Sequence, residues 1–134
     1  MAFGSSLSGM VMSVDNLCSE HAMEHPLSAY YHEIAHGAGL IMLSRAYYTH
    51  FVEHCPELHD RFIDMAKAMG KTDAKEPMDF VTAWWTCRRL WRGRAEDVRL
   101  RHYAGGVPQI CGHARSTMGI LFKLDRLKLT DEDW

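Results

Sequence analysis

The segment His21-Ala22-Met23-Glu24-His25-Pro26-Leu27, followed by His36-Gly37, constrains this chain more than any other. His21 and His25 stand four residues apart, so on a helix both imidazoles project from one face, one turn apart. Pro26 comes directly after. It removes a backbone donor and crowds the preceding turn, which predicts a kinked helix or one that ends near His25. His36 arrives after a short interval and sits just before Gly37. Neutral imidazole is a common ligand of zinc and iron, so His21, His25 and His36 form a metal-site candidate. Histidine pairs at this spacing also arise by chance on solvated helix faces, and nine histidines in 134 residues raise those odds.

Glu24 brings in a second reading. His21-x-x-Glu24-His25 matches the H-x-x-E-H pattern of inverted zinc peptidases, in which two histidines hold zinc and the glutamate activates water. That arrangement needs an uninterrupted helix and a distant third ligand. Pro26 stands against the first requirement.

The run from His21 through Tyr30, then His36-Gly37-Ala38-Gly39-Leu40, resembles the C-terminal metal-binding region of iron-containing (group III) alcohol dehydrogenases. The resemblance implies that His21 and His36 are metal ligands and that His25 lies in the catalytic pocket. Ala35 departs from it, standing where the family usually has proline. Gly4 to Val14 resembles the helix before the motif, and Ala114–Gly119 with Leu121–Asp125 resemble closing helices. The nucleotide-binding half of such an enzyme is missing, and no D-x-x-x-H pair occurs to supply the family's other two ligands. The implied fold is all-α, a bundle like the C-terminal helical domain of the dehydroquinate synthase-like fold. The expectation is a truncated piece of a dehydrogenase that holds iron(II) or zinc weakly and does not bind NAD(P).

Length and charge agree with one soluble helical domain spanning residues 1–134. The apolar share of 47% and charged share of 24% are ordinary, and a net charge of −2 gives no general pull toward nucleic acid or anionic membrane. No apolar run approaches a membrane span and no basic region precedes one at the N-terminus, so a cytoplasmic location is expected. Cys18, Cys55, Cys87 and Cys111 are scattered without a C-x-x-C pair, and read as reduced structural thiols.

Periodicity fills in the rest. Phe3, Leu7, Met10, Val11 and Val14 fit one helical face, and Ser19 is expected to cap the histidine helix. From Gly37 a long helix carries Leu40, Leu43, Tyr47, His50 and His54 on a stripe, closed by Pro56. His50 and His54 repeat the spacing of four, but near a helix C-terminus they complement the dipole and have no third ligand in sequence reach. Leu58, Phe62, Met65, Ala66 and Met69 predict another helix, stopped by Gly70. Residues 71–77 read as a charged linker, and Phe80, Val81, Trp84, Cys87 and Trp91 as a further helix. Arg88, Arg89, Arg92, Arg94, Arg99 and Arg101 form a basic cluster around Trp91. Interrupted by Glu96 and Asp97 in an acidic chain, it reads as a solvated helix end rather than a nucleic-acid surface. Thr130-Asp131-Glu132-Asp133 resembles a helix start with nothing behind it, which predicts truncation at this end too.

Three functions compete: a metal-binding domain of a dehydrogenase that needs a nucleotide-binding half from another chain, a non-catalytic helical protein that self-associates, and the zinc peptidase. Gly37-Ala38-Gly39 and Gly105-Gly106 follow no strand and fail the dinucleotide fingerprint. Loss of an interdomain partner would uncover apolar surface, so a homo-oligomer is expected.

Overall fold

The computed structural model describes residues 2–90 and 107–130. Among them it contains six α-helices and no strand: α1 (Ala2–Met12), α2 (Ser19–Tyr30), α3 (His36–His54), α4 (His59–Ala68), α5 (Met78–Leu90) and α6 (Val107–Leu124), with a 3-10 turn at Pro56–Leu58. The all-α expectation holds. Trp91 and most of the basic cluster, from Arg92 to Arg101, lie outside the described residues, as do Gly105-Gly106 and the acidic residues after Thr130.

Several boundaries follow from local chemistry. Pro56 cannot donate to the preceding turn, so α3 ends at His54 and the proline begins the 3-10 turn instead. Gly70 closes the segment after α4 at φ 97°, a left-handed conformation that glycine adopts without a Cβ clash. There the Lys71 N–H donates to the Ala66 carbonyl and the Gly70 N–H to the Lys67 carbonyl, satisfying carbonyls the helix leaves open. Asp79, in the first turn of α5, accepts from the backbone N–H groups of Lys75 and Glu76. Those bonds and the Lys71 ammonium hold its carboxyl below the usual carboxylate range.

Three further points join local signals to tertiary packing, and at one of them, Ser19, packing overrides the local signal. Of the two outcomes that Pro26 allows, helix α2 takes the continuing one and runs through to Tyr30. Leu27 and Pro26 are both buried there, and that burial offsets the hydrogen bond the ring removes. Ser19 is not the cap. It is the first helical residue, Cys18 holds the cap position, and the Ser19 hydroxyl turns away to donate to Asp125 at the end of α6. Helix α6 breaks its own geometry at Met118 (φ −127°, ψ 29°), a kink at which two helical segments join, in line with the two closing helices expected there.

The core sits where α2 lies between α6 and α3, and where α4 and α5 pair beside α3. Phe51, Val52, Phe62, Ala66, Phe80, Val81, Leu121 and Phe122 are buried in it. Phe62 and Phe80 stack with ring centroids 5.4 Å apart, and Tyr48 meets Phe80 edge-on at 5.1 Å. Each such pair adds about 0.5–1.5 kcal/mol beyond the area it buries. Helix α1 behaves otherwise: Phe3, Leu7, Met10 and Val11, with Val14 beyond its end, are all exposed. No helix among the described residues is long and apolar enough to cross a membrane.

Candidate metal centre

Helix α2 buries two carboxylates, Glu20 and Glu24, one turn apart. An ionised carboxylate in a core is costly unless its oxygens are engaged. Both are. The Ser44 hydroxyl donates to Glu20 Oε1 at 2.5 Å, and the Tyr48 hydroxyl lies 3.4 Å from Oε2. Burial raises the Glu20 pKa, with the Ser44 and Tyr48 hydrogen bonds acting against it. Glu24, wholly buried, takes the Ser28 hydroxyl on Oε1 and Nδ1 of His36 on Oε2.

The approach of α3 makes that last contact. His36 opens α3, and Gly39 lies directly against Glu24: a Cβ there would sit 2.5 Å from Glu24 Oε1 and 2.8 Å from its Cγ. The missing side chain at residue 39 is the space the glutamate occupies. The sequence places Gly39 and Glu24 within the family-like run and assigns neither of them a packing role there. The Glu24–Ser28 spacing of four is local, but nothing local dictates that Glu24 is buried against α3.

The three predicted histidines meet at this corner. The rings of His21 and His36 lie 5.5 Å apart, and those of His25 and His36 lie 5.3 Å apart. Ligand atoms of Glu24, His25 and His36 all fall within 4.8 Å of one another. One nitrogen of His21 belongs to a second such group, with Cys18 and Glu20. Burial lowers the His21 pKa, assisted by His36 and His25 and opposed by Glu24, so its neutral, ligating form is favoured. Its Nδ1 is buried with no hydrogen-bond partner among the described residues. His50 and His54 stack on each other at 4.3 Å at the far end of α3, and Nδ1 of His54 bonds the His50 carbonyl at 2.9 Å.

The donor set suits a divalent metal. A neutral His21, a half-exposed His36 and the carboxylate that fixes the His36 ring are the parts of a histidine site with its supporting shell. The Glu24 contact engages His36 Nδ1 and so leaves Nε2 as the nitrogen on which His36 would bind.

Comparison with curated proteins and with solved structures found no match. The model of the Fe-containing alcohol dehydrogenase family, C-terminal region, matches residues 1–110, which takes in the histidine corner and stops at the start of α6. With more than half its length matched and an all-α structure, the chain belongs to the Fe-containing alcohol dehydrogenase family as a C-terminal domain.

Proposed function

We propose that this chain is the metal-binding helical domain of an iron-type dehydrogenase, and that catalysis needs a nucleotide-binding half contributed by another chain. The observation that carries this is the meeting of His21, His25 and His36 where α2 crosses α3, with the Glu24 carboxylate behind His36. His21 and His36 would hold iron(II) or zinc, and His25 faces the same pocket beside the substrate. A bound metal supplies Lewis acidity that polarises an alcohol or carbonyl oxygen for hydride exchange with NAD(P). The chain's own groups have narrower tasks. Glu24 orients the His36 ring, and Ser28 holds Glu24 in place. The peptidase reading asks Glu24 to face a bound water, whereas this carboxylate is buried with both oxygens engaged.

Two imidazoles leave most coordination positions to water, so affinity in the isolated chain should be far below that of a four-ligand site. Calorimetric titration with zinc or iron(II) should show weak binding that His21→Ala with His36→Ala abolishes and that His50→Ala with His54→Ala leaves intact. Binding indifferent to the first pair would refute the ligand assignment. An absorbance assay with NAD(P) and small alcohols should show no turnover by this chain alone, and turnover would refute its incompleteness.

A self-associating protein without catalysis is the second reading, favoured by the apolar residues that α1 leaves exposed. Sedimentation at tens of micromolar, an order-of-magnitude choice for a modest interface, should give a dimer or larger species. Leu7→Glu with Val11→Glu should return it to monomer; a monomeric parent chain would sink this reading.

A further inference from the structure

We propose that Cys18, Glu20 and His21 form a second divalent-cation site, separate in its chemistry from the histidine corner and selective for zinc. Their ligand atoms all lie within 4.8 Å of one another, around the first turn of α2. The group combines one sulfur, one oxygen and one nitrogen donor, a mixture that suits a borderline-soft ion such as zinc.

Three features mark this as a built site. Cys18 occupies the cap position of α2, so the helix start holds its sulfur within reach of the other two donors. Glu20 is 4% exposed and anchored from α3 by Ser44 and Tyr48, so its carboxylate is held before any ion arrives. His21 carries a buried Nδ1 with no hydrogen-bond partner among the described residues. A bound cation would supply the missing partner for such a nitrogen, which otherwise costs about 1–3 kcal/mol.

The site also has access. A cleft of about 280 Å³ is lined by Cys18, Tyr47, Tyr48 and Asp125, among others. It reaches the set from the Cys18 side. Asp125 stays in a supporting position, accepting from the Ser19 backbone and hydroxyl and from the Tyr47 hydroxyl at 3.1 Å. When the ion binds, the Cys18 thiol releases its proton to solvent and the metal–sulfur bond replaces the S–H bond.

His21 contributes to this set and to the proposed histidine site, so removing it disables both. Cys18→Ser and His36→Ala separate them. Cobalt(II) is the probe, because a cobalt–thiolate bond gives a charge-transfer absorbance that histidine and carboxylate ligation do not. Added to the full chain, cobalt(II) should produce this band at about one equivalent, the capacity of a single site, and zinc should displace it. Cys18→Ser should lose the band and His36→Ala should keep it. A parent chain without the band, or a Cys18→Ser variant that retains it, would overturn the proposal. Loss of the band in a folded His36→Ala variant would do the same. Should Cys18→Ser fail to fold by circular dichroism, alkylation of the parent chain makes the same test. Zinc should protect Cys18 from iodoacetamide, mapped by mass spectrometry, and an unprotected Cys18 would overturn the site. Failure here leaves the His21/His36 titration standing on its own result, so the two ideas fall separately.

Discussion

Replacing Gly39 by alanine, and separately Gly37 by alanine, makes one chemical change at two positions in the first turns of α3, with opposite expected signs. Alanine is favoured over glycine in a helix by up to about 1 kcal/mol. At residue 37 the new methyl meets nothing within 4 Å, so that gain is kept. At residue 39 it would stand 2.5 Å from Glu24 Oε1, 2.8 Å from Cγ and 3.1 Å from Cδ. Three consecutive atoms of one buried side chain are in the way, so turning the carboxylate alone clears nothing. Either α3 lifts from α2 or Glu24 gives up Ser28 and His36. Overpacking costs about 1–3 kcal/mol, and a lost hydrogen bond to a charged group about 1.5–3 kcal/mol. After the helix gain, Gly39→Ala should be destabilised by roughly 2–4 kcal/mol and Gly37→Ala stabilised by about half a kcal/mol. At about 3–5 °C per kcal/mol for a chain of this size, their melting temperatures should differ by roughly 10 °C or more. Thermal unfolding followed by circular dichroism reads this directly. Equal melting temperatures would mean that Glu24 is not packed against α3 as described.

Glu24→Ala should weaken zinc binding at the histidine corner by about 10–100-fold, since His36 loses the group that fixes its ring; titration showing unchanged affinity would remove Glu24 from the site. Asp125→Ala should lower stability by about 2–3 kcal/mol, because Ser19 and Tyr47 lose a shared acceptor; a urea midpoint equal to that of the parent chain would count against the pinning of α6 to α2. Alkaline pH should destabilise the fold. Burial, reinforced by Glu57, pushes the Cys55 thiol from 9.0 up to about 11, and burial raises the Tyr47 and Tyr48 hydroxyls from 10.0. Across that window the unfolded chain sheds these protons first while the native state keeps them, so stability falls as pH rises. Urea midpoints measured from about pH 8 to 11 should decline, and Cys55→Ala should flatten the decline between 9.0 and about 11; a rising midpoint would reverse the sign of the argument.

Much of the helical plan is local and was legible residue by residue. The stripes through Leu43 and Tyr47, Phe62 and Ala66, and Phe80 and Trp84 repeat at helical spacing, and Pro56 and Gly70 stop helices where the backbone chemistry of each requires it. The grouping of His21, His25 and His36 came from spacing and from the family resemblance, and the fold does bring the three rings together. Other features depend on partners far apart in the chain. Ser19 leaves its expected capping role because Asp125, 106 residues away, accepts its hydroxyl. Glu20 is tolerated in the core because Ser44, 24 residues on, reaches it. Glu24 stands behind His36 rather than facing water because Gly39 lets α3 close over it. Propensity and periodicity measure what a residue gains from its own turn of helix. The enclosure of a carboxylate, and the choice of which histidine nitrogen stays unpaired, are set by which surfaces meet across α2, α3 and α6, and only tertiary packing decides that.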